Sequence, residues 1–131
     1  MKLVLVAAIA LVRDHRVLLA ERPTGKNLAG LWEFPGGKVE EGETPEVCLI
    51  RECAEELGIT LRTEDLQPLT FASHTYDDFH LLMPLYACRN WQGEPVGQEG
   101  QRLAWATAAE LETYAMPPAD DPLLPAVRTL L

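Results

Sequence analysis

One stretch, Gly37 to Ile59, constrains this chain more than any other: GKVEEGETPEVCLIRECAEELGI. It reads as a glycine turn feeding a helix. Thr44 is a good N-cap, Pro45 suits the first helical position, Glu46 follows in the first turn, and Gly58 is placed to end the helix. Inside it, Glu52, Glu55 and Glu56 fall at i, i+3 and i+4, so three carboxylates share one helical face. Val47, Leu49, Ile50, Cys53, Ala54 and Leu57 supply apolar surface for the rest. Like charges at that spacing destabilise a bare helix by a few tenths of a kcal/mol per pair. A hard divalent cation, whose preferred ligands are carboxylate oxygens, would offset the repulsion.

The rest of the sequence suits one globular unit around that helix. At 131 residues the chain, 1–131, reads as a single domain able to form a core without disulfide staples. The three cysteines (Cys48, Cys53, Cys88) have no C-x-x-C spacing and suggest packing roles in a reducing compartment, so the expected location is cytoplasmic. The apolar start, Leu3 to Val12, is too short for a signal segment or a membrane span, and a strand is the better reading. A net charge of −9 argues against polymeric nucleic acid as a partner. It leaves room for a small polyanion, provided that metal ions sit between it and the acidic site.

Along the chain, Leu3–Val12 and Val17–Glu21 flank a polar turn and predict a hairpin. Residues 23–30 are a loop, Leu31–Phe34 is extended, and Pro35-Gly36-Gly37 forces a tight bend. After the helix a strand is expected near Ile59–Leu61. Leu69–Tyr76 and Phe79–Cys88 should pair around Asp77-Asp78, with Pro84 demoting the second of them to an edge or a bulge. A long loop, 89–102, leads to a short strand at Leu103–Trp105. Thr107 should cap a brief helix through Leu111, and a last helix should run from Pro122 to Leu131. The fold class is α+β.

Gly37, five residues, Glu43, seven residues, then Arg51-Glu52-Cys53-Ala54-Glu55-Glu56-Leu57-Gly58-Ile59 resembles the Nudix box, G-x5-E-x7-R-E-U-x-E-E-x-G-U with U a bulky aliphatic residue. The one departure is Cys53 at a U position, where a buried thiol serves as a small hydrophobe. The resemblance implies an α/β/α sandwich in which a mixed curved β-sheet lies between helices. The wider chain resembles the mutator-type branch, through Leu31–Lys38, Trp91–Gln101 and Pro117–Pro122. Members hydrolyse oxidised dGTP to the monophosphate and pyrophosphate, a nucleotide-pool sanitation. A relative of the same fold acts on CTP, dCTP and methylated dCTP. A non-catalytic, nucleotide-sensing use of the fold would show a degraded box, and this box is complete.

The family pattern implies roles. Glu52 and Glu56 would ligate Mg²⁺ (or Mn²⁺) directly, Glu55 directly or through water, and Gly36 through its carbonyl. Glu99 matches a late glutamate that supplies a further ligand or the general base, although from the residues alone it is only a loop acid. Arg51 can hold the loop to the helix through Glu43. Arg22 and Lys38 match residues that steer phosphates. Asp120 matches a base-reading position, where an ionised aspartate only accepts hydrogen bonds. Phe34, Leu28 and Phe79 could line an apolar base pocket, though each also reads as core, and Asn27 could approach the base or ribose. The expected partner is a nucleoside triphosphate, with no membrane and a monomer or weak dimer as the assembly.

Overall fold

The structure is a computed structural model and describes residues 1–23, 25 and 29–131. Its spine is β1 (Lys2–Arg13), whose unbroken apolar run is buried from Ala7 to Val12. Such a run suits a strand covered on both faces. At its end Asp14 and His15 both take positive φ, 53° and 62°, which gives the two-residue hairpin turn whose twist matches the strands. The chain returns as β2 (Arg16–Glu21), with Val12 opposite Val17.

β3 (Trp32–Glu33) and β7 (Leu103–Ala106) both pair antiparallel with β2. β4 (Gly36–Lys38) pairs antiparallel with β1, Ala8 opposite Gly36. β5 (Gln67–Thr75) runs antiparallel to β6 (Phe79–Cys88), and β6 runs parallel to β1. The strand order is β3-β2-β1-β6-β5, with β4 added on β1 and β7 on β2.

The helix α1 spans Pro45–Leu57. Thr44 Oγ1 accepts the Val47 N–H at 3.1 Å, and Gly58, at φ 70°, closes the last turn by donating to the Ala54 carbonyl. On the other side a 3₁₀ turn, Asp121–Leu123, leads into α2 (Leu124–Arg128). Strand alternation splits the core between these two layers. Ala7, Ile9 and Leu11 pack with Leu49, Cys53 and Leu57 of α1, while Ala8 and Ala10 pack with Leu85, Leu123 and Val127. The expected α/β/α arrangement of a mixed sheet is therefore present. Among the described residues no helix is long and apolar enough to cross a membrane.

Four local expectations are corrected. Ile59–Leu61 is not a strand: a single bridge joins Thr60 to Gln92, and Ile59 and Leu61 serve as buried anchors on either side of it. Pro84 lies neither at an edge nor at a bulge but inside β6, between β1 and β5. It pairs with Phe71 of β5, and the β1–β6 ladder is interrupted beside it, between Leu5↔Leu82 and Ala8↔Leu85. Thr107 and Glu110 exchange side-chain and backbone hydrogen bonds at 2.9 and 3.3 Å, but they close a turn before a 3₁₀ segment, Leu111–Thr113, and no α-helix forms. The C-terminal helix is short, because Pro122 and Pro125 each withhold an N–H from its start.

Candidate active site

Glu52, Glu55 and Glu56 project from α1 into a cavity of about 370 Å³, also lined by Arg22, Glu33, Gly36, Arg51 and Glu99. Glu99 reaches it because the loop after β6 is tied to the last turn of α1, whose carbonyls lack helical partners. Val96 N–H donates to the Leu57 carbonyl (3.0 Å), and Gln98 N–H to that of Glu56 (2.9 Å). The Gln101 side chain donates to the Glu56 carbonyl at 3.0 Å and accepts the Glu99 N–H at 2.9 Å.

Arg51 organises the acids around it. It donates to both oxygens of Glu43 at 2.7 and 3.0 Å, to Glu52 at 2.7 Å and to the Lys38 carbonyl at 3.3 Å. The Glu43 carboxyl, which also accepts the Glu40 N–H, is held down to about 2 by the Arg51 guanidinium. The glycines make the approach possible. A Cβ on Gly37 would lie 2.4 Å from the Glu52 carboxyl carbon, and one on Gly36 would meet the Ala7 carbonyl oxygen of β1.

Glu56 is the acid under most stress. One of its oxygens, Oε2, is buried without a hydrogen-bond partner. Burial raises its proton affinity, and the Glu52 carboxylate, which accepts from the protonated Glu56 carboxyl, together with the charges of Glu52, Glu99 and Glu33 raises it further. The donor set fits a hard divalent cation: all oxygen, all on one cavity wall, with a buried lone pair unsatisfied. Among the described residues no three of these acids converge as a ready-made cage. A cation that keeps waters and takes substrate phosphates as further ligands does not require one.

The cavity continues away from the glutamates. A second recess of about 210 Å³ shares Arg22, Glu33 and Gly36 with the first and adds Phe34, Lys38 and Asp120. A third, of about 270 Å³, shares Arg22, Glu33 and Asp120 and is otherwise apolar, lined by Val4, Tyr76, Phe79, Leu81 and Met83. Glu33 spans all three, paired with Arg22 at 3.1 Å. Burial raises its proton affinity and Arg22 opposes this.

Asp120 is only 5% exposed, and its Oδ2 has no partner. Burial, then the charges of Glu33 and Asp121, push its carboxyl up to about 8 against the pull of Arg22. Its side chain makes no capping bond to the turn it begins. Phe34 is 4% exposed and belongs to the core behind the second recess, while half-buried Phe79 stacks on Tyr76 with ring centroids 5.0 Å apart. Lys38 is exposed at the rim of the second recess. Asn27 and Leu28 lie outside the described residues.

The anticipated acids and Arg51 thus share one cavity, and Asp120 and Phe79 share another that joins it. Glu33, Gln101 and Tyr76 were not anticipated. Glu33 had a legible signal, since period-two alternation across Trp32-Glu33-Phe34 turns it away from the side that buries Phe34. Gln101 and Tyr76 had none, because their roles depend on contacts distant in sequence.

The NUDIX domain family matches residues 6–126. Escherichia coli (strain K12) CTP pyrophosphohydrolase is 39% identical over 132 residues, covering 99% of this chain and 95% of that enzyme. The 8-oxo-dGTP diphosphatase of the same strain is 33% identical over 125 residues, covering 94% of this chain and 95% of that enzyme. The solution structure of the E. coli ORF135 protein superposes with a TM-score of 0.86 at 35% identity, over 99% of this chain and 91% of that one. The crystal structure of the MutT NUDIX hydrolase from Burkholderia pseudomallei gives 0.85 at 31% identity, over 97% of this chain and 99% of that one. With a complete acidic box on α1 and these likenesses along nearly its whole length, the chain belongs to the Nudix family and is a Nudix hydrolase.

Proposed function

We propose that this Nudix hydrolase cleaves nucleoside triphosphates to the monophosphate and pyrophosphate with Mg²⁺, oxidised dGTP of the 8-oxo type being its substrate. One observation carries the reading. The cavity of glutamates, with a buried and unpartnered Glu56 oxygen, opens into an apolar recess that ends on a second unpartnered carboxyl, Asp120. A charged end and a base-sized apolar end joined in one trench match a nucleotide's phosphates and base. The relative named 8-oxo-dGTP diphosphatase supports the substrate.

Nudix hydrolases in general use a divalent cation. Glu52, Glu55, Glu56, Glu99 and the Gly36 carbonyl would hold it, and Mn²⁺ could replace Mg²⁺. When bound, the cation neutralises phosphate oxygens and makes a bound water more acidic. The protein's own groups do the rest. Arg51 fixes the orientation of Glu52 and neutralises part of the acidic cluster. Arg22 and Lys38, beside the middle recess, attract the phosphates. Phe79 and Phe34 offer apolar surface to the base, and Asp120 reads its edge.

A cytosine nucleotide is the second reading, and Asp120 favours it. Held neutral by burial, its carboxyl offers one donor and one acceptor side by side, which suits N3 and the amino group of cytosine. The relative named CTP pyrophosphohydrolase points the same way. Measuring kcat/KM for oxidised dGTP, dGTP, CTP and dCTP, with and without chelator, tests both. Turnover that survives the chelator overturns the metal role, and a preference for CTP or dCTP over oxidised dGTP selects the second reading.

A further inference from the structure

Tyr76 follows β5 directly, closing the turn to β6 with its N–H on the Phe79 carbonyl at 2.8 Å. Its ring forms part of the wall of the apolar recess. Two contacts fix that ring: Phe79 stacks on it at 5.0 Å between centroids, and His74 meets it edge-on at 4.6 Å. The backbone N–H of Ala119 faces the hydroxyl oxygen. Tyr76, Ala119 and Asp120 line this same recess, and the charge of Asp120 acts on the phenol, so the hydroxyl and the unpartnered carboxyl share one part of the trench. Among the described residues the hydroxyl's own proton has no acceptor, and burial and the charge of Asp120 hold it on the oxygen beyond the ordinary phenol range.

A placed donor beside a placed carboxyl is a recognition pair. We propose that Tyr76 is a specificity-determining residue of the base pocket, its phenolic O–H donating to a carbonyl oxygen of the base while Asp120 engages the neighbouring nitrogens. The proposal rests on the reading of this trench as a nucleotide site. Guanine, plain or oxidised, satisfies the pair with O6 on Tyr76 and with N1–H and the amino group on ionised Asp120. Cytosine satisfies it with O2 on Tyr76 and with N3 and the amino group on neutral Asp120. Adenine has no carbonyl oxygen and leaves the Tyr76 proton buried without an acceptor, which is the costly arrangement. The pair therefore selects carbonyl-bearing bases in either charge state of Asp120.

The test is calorimetric binding of dGMP, dCMP and dAMP to the native protein and to Tyr76→Phe, with thermal unfolding of both proteins as the control. The substitution keeps the ring, its stack on Phe79 and the pocket volume, and removes only the hydroxyl. Native protein should bind dGMP and dCMP about tenfold or more tighter than dAMP, and the variant should lose that advantage, with its dAMP affinity unchanged or improved. A purely structural hydroxyl, needed only to satisfy the Ala119 N–H, would weaken all three ligands alike. That outcome overturns the proposal, as does unchanged discrimination in the variant or a native protein that shows no preference over dAMP. Hydrolysis is scored separately. Binding that follows this pattern without cleavage of any triphosphate would overturn the reaction proposed above and leave the role of Tyr76 standing.

Discussion

Two carboxylate oxygens, Glu56 Oε2 and Asp120 Oδ2, are buried without partners, and they lie at opposite ends of one trench. A buried polar atom left unsatisfied costs on the order of 1–3 kcal/mol, so each is held there by the surrounding fold. Glu56→Gln replaces the crowded carboxyl beside Glu52 and Glu99 with an uncharged amide of the same shape. The metal-free variant should melt no lower than the native protein, lose most of the thermal stabilisation that Mg²⁺ confers, and turn over about 100-fold or more slowly. Melting curves with and without Mg²⁺, beside a turnover assay, decide it, and an unchanged response to Mg²⁺ removes Glu56 from the ligand set.

Asp120 gives a pH signature. It faces Glu33, Asp121, Arg22 and Tyr76, and its carboxyl titrates near 8 in the folded chain against an ordinary value of 3.8. Between those values the folded chain keeps a proton that the unfolded chain has lost, so this group's contribution to stability falls as pH rises and is flat above the window. Asp120→Asn removes that slope. Relative to the native protein, the variant should gain stability from about pH 5 to about pH 8, by up to a few kcal/mol in urea unfolding. A constant difference across that range would mean that the carboxyl titrates normally.

At the scale of elements, α1 was legible because everything that makes it a helix is local: the Thr44 cap, Pro45 in the first turn, the apolar stripe and the Gly58 stop. The hairpin from β1 to β2 was legible for the same reason. Elements whose fate depends on distant partners were not. Ile59–Leu61 alternates like a strand, yet its neighbour is the loop around Gln92, which offers one bridge and no ladder. Pro84 looked disruptive, yet it lies inside β6, where the β1–β6 ladder is interrupted. The candidate site divides in the same way. Its acids were readable from spacing on one helix, whereas the Gln101 link that brings Glu99 to Glu56, and the packing of Tyr76 on Ala119, join segments far apart in sequence.

The junction of β4 and α1 carries its own prediction. A Cβ added at Gly37 would lie 2.4 Å from the Glu52 carboxyl carbon, so the carboxyl must shift to admit it. Gly37→Ala should therefore displace that carboxyl from Arg51. Activity should fall by at least about tenfold while the far-ultraviolet circular dichroism spectrum stays native. Full activity in the alanine variant would show that Glu52 need not hold its position.

The whole molecule bears on which phosphorus water attacks. The chain is acidic, at −9, yet Arg22 lines all three recesses and Lys38 edges the middle one, so the cations stand between the apolar end and the glutamates. If the base occupies the recess beside Asp120 and Tyr76, ribose and the α-phosphate fall in the middle section, beside Arg22 and Lys38. The β-phosphorus then comes to the carboxylates of α1, and the nucleoside monophosphate departs as the leaving group. Hydrolysis in ¹⁸O-water should put the label into pyrophosphate and leave the monophosphate unlabelled, which mass spectrometry of the two products reads directly. Label in the monophosphate would mean attack at the α-phosphorus. The α-phosphate would then lie over the glutamates, one phosphate deeper than this arrangement allows, and the base could no longer reach Asp120.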